Sequence, residues 1–242
     1  MCYLQVVKAF IRSNIPNLIT CINFTVGFAA ILSTFNGNYD SSAYLILWCM
    51  VLDGVDGGMA RLLGVISPMG QQLDSLVDVV VFGVAPALLM YGFVLNQYGI
   101  WGAILCASFP IAGALRLARF NVEGAVHFYS GQPITIAAAT LATVVLGAPD
   151  NAHIHVAILP LLAVLMVSPI PYPRKLRIFP HRVLNLVAFW GLMLAILACT
   201  IAQYRLFLFL LAVGYNLLIL CIAIGKTLNF DFVTMRRRVS SE

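Results

Sequence analysis

The stretch Asp53–Asp78, DGVDGGMARLLGVISPMGQQLDSLVD, decides how this chain is read. It carries Asp53, Asp56, Asp74 and Asp78, out of only nine acidic residues in 242. Apolar runs flank it on both sides, AYLILWCMVL before and VVVFGVAPALLMYGFVL after. Asp53 and Asp56 stand at i,i+3, and Asp74 and Asp78 at i,i+4, so each pair occupies one face of a helix. Gly64, Pro68 and Gly70 break the pattern between the pairs, so the second helix can return antiparallel to the first. The four carboxylates then converge. A carboxylate at mid-bilayer costs about 2.5–3.5 kcal/mol, and four unpaired ones roughly 10–14 kcal/mol. Arg61 offsets only one of them. All-oxygen donors suit hard cations such as Mg²⁺, Mn²⁺ or Ca²⁺. Two divalent ions bring four positive charges to four negative ones, an arrangement that serves phosphoryl chemistry.

The whole chain is 62% hydrophobic and 10% charged, with a mean hydropathy of +0.97. Soluble domains are about 25% charged, so this chain lacks the charge to coat a water-facing surface. Eight apolar stretches are long enough to propose as spans: 17–35, 42–62, 72–95, 98–117, 132–148, 154–170, 183–202 and 206–225. With eight spans every Lys and Arg except Arg205 falls on one side. The positive-inside rule makes that side cytoplasmic. The expected fold is therefore an all-α integral-membrane bundle of about eight helices, six to eight, with both termini cytoplasmic. It divides into a transmembrane domain over 1–225 and a basic cytoplasmic tail over 226–242.

The net charge of +5 marks topology and gives no support to nucleic-acid binding. Leu32-Ser33-Thr34-Phe35 lacks a small-residue cleavage pattern, so the first span is read as a helix that stays. The six cysteines (Cys2, Cys21, Cys49, Cys106, Cys199, Cys221) form no C-x-x-C pair, which leaves no disulfide framework and no zinc site. His153 and His155 are read as part of a solvated loop in preference to a metal pair. Gly57, Gly58 and Ala60 beside Asp56 allow either close approach of a ligand to backbone or close helix packing. Arg61 suits a bidentate phosphate contact.

The spacing Asp53-x2-Asp56-Gly57-x2-Ala60-Arg61-x8-Gly70-x3-Asp74-x3-Asp78 resembles the signature of the CDP-alcohol phosphotransferase family at every fixed position and gap. The resemblance implies a membrane enzyme that uses two divalent cations, Mg²⁺ or Mn²⁺. It implies Asp53, Asp56, Asp74 and Asp78 as metal ligands, with Asp78 also the catalytic base. It assigns the CDP moiety to Asp56, Gly57, Ala60, Arg61, Gly70 and Asp74. A homodimer in the bacterial inner membrane, with its site facing the cytoplasm, follows from the same likeness.

Four further stretches resemble the phosphatidylserine synthase branch of that family: Ile15–Thr20, Leu73–Pro86, Gly113–Asn121 and Phe128–Pro133. Val81 stands where the branch often has serine. The branch implies CDP-diacylglycerol and L-serine as substrates. Arg116, Arg119 and Asn121 are then candidates for binding the acceptor, the arginines through its carboxylate. The alternative is that these arginines only set topology or meet headgroups. Asn17 and Thr20 either face the donor or cap a helix.

Three rival readings stand beside this one. A sister enzyme would take glycerol 3-phosphate, inositol or choline; a phosphorylated acceptor would want more basic residues near the site. A membrane prenyltransferase would need a second aspartate-rich motif, and the second half holds only Asp150, Asp231 and Glu242. A cation transporter would favour repeated halves and a midplane site, and the sequence shows no repeat.

Overall fold

The computed structural model describes residues 2–65, 67–123, 128–147, 152–173 and 209–217. The helices are α1 (Cys2–Phe35), α2 (Tyr39–Leu63), α3 (Pro68–Asp78), α4 (Ala85–Phe93), α5 (Gly99–Glu123), α6 (Ile134–Gly147) and α7 (Ala152–Val167). Residues 209–217 are also helical. Six residues in π-helical form, Val79–Val84, join α3 to α4 without a break. A short 3-10 turn, Leu95–Tyr98, reverses the chain into α5.

Three helical stretches among the described residues have the length and composition to cross a membrane: Asn14–Phe35, Pro68–Phe93 and Leu95–Val122. The 25 residues of α2 reach about 37 Å at 1.5 Å each, with Asp53, Asp56 and Arg61 in its last turns. Helices α6 and α7 are apolar but have only 14 and 16 residues. The first six expected spans each coincide with helix, and the eighth is helical where described. The seventh expected span, 183–202, and the tail, 226–242, lie outside the described residues. An antiparallel pair, β1 (Phe128–Ser130) with β2 (Pro171–Pro173), departs from pure helix and sets Tyr129 opposite Tyr172. Pro171 and Pro173 have no N–H to donate, which suits only so short a pairing.

Helix α1 lies along α2 and buries one face: Thr20, Asn23, Ala30 and Thr34. Its other face exposes Leu18, Ile22, Phe28, Leu32 and Phe35, as a lipid-facing surface does. On the buried face a Cβ at Gly27 would fall 2.5 Å from Val81 Cγ2, so α1 and the π-helical stretch approach closely. Val81 is thus a packing residue, fully buried. Gly83 meets Pro110 of α5 in the same manner, at 3.3 Å from a built Cβ. Tyr39 donates from its hydroxyl to Gly92 O at 2.8 Å, tying the far ends of α2 and α4. The start of α3 is set by Ser67, whose Oγ accepts from Gly70 N at 3.0 Å, with Pro68 in the first turn.

Gly131, just before α6, has φ +82°, and a Cβ there would lie 2.0 Å from Met166 O. Its N–H donates to Ile170 O at 3.0 Å. Both the dihedral and the space require glycine. Gly131→Ala is expected to lower stability by about 1–3 kcal/mol through backbone strain alone. Thermal unfolding in detergent would show this as a fall in Tm, and an unchanged Tm would contradict the tight seat.

Candidate metal centre

The reversal between α2 and α3 brings the paired aspartates together. One carboxylate oxygen each from Asp53, Asp56 and Asp74 lies within 4.8 Å of the other two. Asp56 is buried, while Asp53 and Asp74 are half-buried. Asp78 stands one turn further along α3 and is also buried. Its Oδ1 has no hydrogen-bond partner among the described residues. It lies within electrostatic reach of the other three aspartates and of the Arg116 guanidinium. A buried carboxylate oxygen left in this way wants a positive or protic partner. The set is all oxygen and strongly anionic, so it fits hard divalent cations.

Helix α1 supports the cluster. The Thr20 hydroxyl lies 3.1 Å from Asp56 Oδ2 and 3.1 Å from Pro16 O. Asp56 also accepts from the Gly57 backbone N–H. Asn17 Oδ1 would sit 3.0 Å from a Cβ at Gly70, as would Ser67 Oγ. Neither Asn17 nor Thr20 caps a helix, because α1 begins far upstream at Cys2. Thr20 is instead a hydrogen-bond donor to a site carboxylate. Asn23, one turn deeper, is buried with its Oδ1 unpartnered among the described residues. Sequence reasoning misses Asn23; the signal for it is the polar spacing Thr20, Asn23 inside an apolar span.

The remaining candidates divide. A side chain at Gly58 would meet nothing within 4 Å among the described residues, so helix packing does not explain that glycine. Gly70 does have a packing reason, the Asn17 contact. Ala60 and Arg61 belong to the last turn of α2 by backbone; their side chains lie outside the described set. Arg116 is buried on α5, within electrostatic reach of Asp78. Arg119 is exposed and donates from Nη1 to Val167 O at 3.3 Å. Asn121 is exposed and donates from Nδ2 to Ser75 Oγ at 3.1 Å. Of the three, Arg116 alone is buried, while Asn121 reaches the residue that follows Asp74. The solvated loop expected at His153 and His155 is corrected for His155. It lies in α7, fully buried, with its ring centroid 5.2 Å from that of Phe93, because α7 begins before it at Ala152.

Comparison with known proteins adds the following. The family model described as CDP-alcohol phosphatidyltransferase matches residues 13–168. A Helicobacter pylori protein named CDP-diacylglycerol–serine O-phosphatidyltransferase is 37% identical over 168 residues, covering 65% of this chain and 71% of its own. A Bacillus subtilis protein of the same name is 38% identical over 160 residues, covering 66% and 89%. An archaetidylserine synthase of Methanothermobacter thermautotrophicus is 34% identical over 163 residues, covering 66% and 70%.

Thr20→Val keeps the side-chain shape and removes the hydrogen bond to Asp56. The half-saturating Mn²⁺ concentration, read by electron paramagnetic resonance, is expected to rise ~10-fold or more, the usual effect of losing a partner behind a metal ligand. Thr20→Ser is expected to retain the original value.

Proposed function

The chain belongs to the CDP-alcohol phosphatidyltransferase family, and we propose that within it the acceptor is L-serine and the donor CDP-diacylglycerol, giving phosphatidylserine and CMP. The observation that carries the chemistry is the meeting of Asp53, Asp56 and Asp74 within 4.8 Å beside a buried Asp78. The names of the relatives in Helicobacter pylori and Bacillus subtilis favour serine. The buried Arg116 supports that choice, since it offers a carboxylate partner in reach of Asp78.

In this reading Asp53, Asp56, Asp74 and Asp78 hold two divalent cations, Mg²⁺ or Mn²⁺. When bound, these supply positive charge where the donor diphosphate gathers negative charge. Gly57, with the open space at Gly58, lets the nucleotide come close to the backbone of α2. Ala60, Arg61 and Gly70 complete the CDP side of the site. Asp78 accepts the proton of the serine hydroxyl as that oxygen bonds to the phosphatidyl phosphorus. The bond from that phosphorus to the bridging oxygen breaks, and CMP leaves with the electron pair. Arg116 orients the acceptor through its carboxylate. Arg119 is exposed and bonded to Val167 O, and Asn121 is exposed and bonded to Ser75 beside Asp74, which makes them second to the buried Arg116 as acceptor contacts.

The membrane is the bacterial inner membrane, with the site and both termini on the cytoplasmic side, a transmembrane domain over 1–225 and a basic tail over 226–242. The positive-inside bias of the basic residues supports the orientation, and the likeness to the bacterial branch supports the choice of membrane. A homodimer is expected from the family resemblance.

The direct test offers purified protein CDP-diacylglycerol and Mn²⁺ or Mg²⁺, with L-serine, glycerol 3-phosphate, inositol or choline supplied separately. Metal-dependent CMP release with serine alone is the expected result. Release with another acceptor keeps the chemistry and replaces the substrate. No release from folded protein with any acceptor would favour a cation-binding transporter. Asp78→Asn is expected to lower kcat by about 10²–10⁴-fold, the scale of a lost general base, while Mn²⁺ binding partly survives. Full activity in that variant would remove the base role.

A further inference from the structure

Helix α1 carries an amide that none of the chemistry above uses. Asn23 stands between Ile22 and Phe24 in the apolar stretch Asn14–Phe35 and is 1% exposed. Its backbone C=O accepts from Cys49 Sγ of α2 at 3.7 Å. Its side-chain Oδ1 is sealed from solvent and has no hydrogen-bond partner among the described residues. A buried acceptor left in this way costs about 1–3 kcal/mol, so the position calls for a donor or a cation.

Contacts above and below it fix what Asn23 stands beside. Helices α3 and α4, with the π-helical stretch between them, form one continuous rod, and α1 runs parallel to it. A Cβ at Gly70 would lie 3.0 Å from Asn17 Oδ1, and one at Gly27 would lie 2.5 Å from Val81 Cγ2. Asn23 falls between these two contacts, level with Val77 and Asp78. Against α2 the direction is antiparallel. The Thr20 hydroxyl meets Asp56 Oδ2 at 3.1 Å, and the Thr34 hydroxyl meets Ser42 Oγ at 2.8 Å. Asn23 falls between these contacts too, level with Asp53.

Its direction follows from helix geometry. At about 100° per residue, Asn23 points within about 40° of Gly27 and about 20° of Thr34. Thr34 touches both walls: Ser42 on α2, and the rod at Gly92, where a Cβ would lie 3.2 Å from Thr34 Cγ2. Asn23 therefore points into the seam between α2 and the rod. Asp53 and Asp78 lie within electrostatic reach of each other there. Asp78 Oδ1 is likewise sealed and unpartnered among the described residues.

We propose that Asn23 Oδ1 is a further ligand of the metal centre, a neutral oxygen that α1 supplies to the cation on the Asp53–Asp78 side. This rests on the two-cation reading given above and deepens it. Two sealed oxygens at one level suit one hard cation, which takes amide oxygens as readily as carboxylates. An amide also adds no fifth negative charge to four carboxylates already held out of water. Helix α1 then serves the centre twice, through Thr20 behind Asp56 and through Asn23 at the deeper level.

The test titrates the full chain in detergent with Mn²⁺, reading bound ion by electron paramagnetic resonance and stability by thermal unfolding. Wild type is expected to hold two Mn²⁺. Asn23→Leu is expected to weaken one of them ~10-fold or more, at least the scale of losing a group behind a ligand, and to leave the other unchanged. Without metal its Tm should equal or exceed the wild-type value, because a sealed, unpaired amide is gone. The rise in Tm that Mn²⁺ confers should shrink. Asn23→Asp keeps an oxygen at the same place and should retain both ions. If Asn23→Leu does not assemble, Asn23→Ala carries the same Mn²⁺ comparison. Two ions held as tightly in these apolar variants as in wild type would overturn the proposal. A greater loss in Asn23→Asp than in Asn23→Leu would overturn it as well, since that marks an amide that donates to a carboxylate. Wild type holding fewer than two Mn²⁺ would overturn the two-cation reading and this proposal together.

Discussion

Negative charge held out of water is the constraint around which this molecule is arranged. Asp53, Asp56, Asp74 and Asp78 sit at the meeting of two apolar helices, and neither lipid nor core side chains can solvate them. The protein answers with a few placed groups: the Thr20 hydroxyl and the Gly57 N–H on Asp56, and the Arg116 guanidinium within electrostatic reach of Asp78. Among the described residues these groups offer less positive charge than four carboxylates carry, and a cluster of that kind suits hard cations.

Rigid neighbours make that affinity specific. Ser67 caps α3 and fixes where the second aspartate pair begins. Gly70 lets Asn17 of α1 close against the same turn, and Gly27 lets α1 lie against Val81. The carboxylates are therefore set by contacts among α1, α2 and α3 that do not involve a ligand. This is the preorganisation that electrostatic catalysis requires. From α5, the Arg116 guanidinium comes within electrostatic reach of Asp78.

The aspartate centre was legible in the sequence because its geometry is local. Spacings of three and four residues on a helix fix a common face whatever surrounds it. The apolar spans were legible for the same reason. The division between Arg116 and Arg119 was not, since both lie on one face of α5. Only depth distinguishes them: Arg119 is near enough to the helix end for its long side chain to reach the surface carbonyl of Val167. Thr20 was ambiguous until α1 proved to extend well upstream of it. His155 looked like loop because two histidines beside Asn151 read as polar, yet α7 begins early enough to bury it. Gln132 stood in a segment quoted for its likeness to a family branch, but its side-chain partner is Asn216, which lies beyond residues 13–168 that the family model matches.

The π-helical stretch Val79–Val84 carries a consequence for how such a chain can change over evolutionary time. A π turn amounts to one residue inserted into an α-helix. It begins directly after Asp78, between the aspartate-bearing half of the rod and the half that packs deep in the bundle. Deleting a single residue there would restore an unbroken α-helix without touching any aspartate. Because the wider turn takes up the extra residue, Asp74 and Asp78 would keep nearly the same phase relative to Gly83 and the walls beyond. A residue added or removed without that change of winding would instead turn them by about 100°, given 3.6 residues per turn. The stretch is thus a place where a change of length can be absorbed while the aspartates keep their aim.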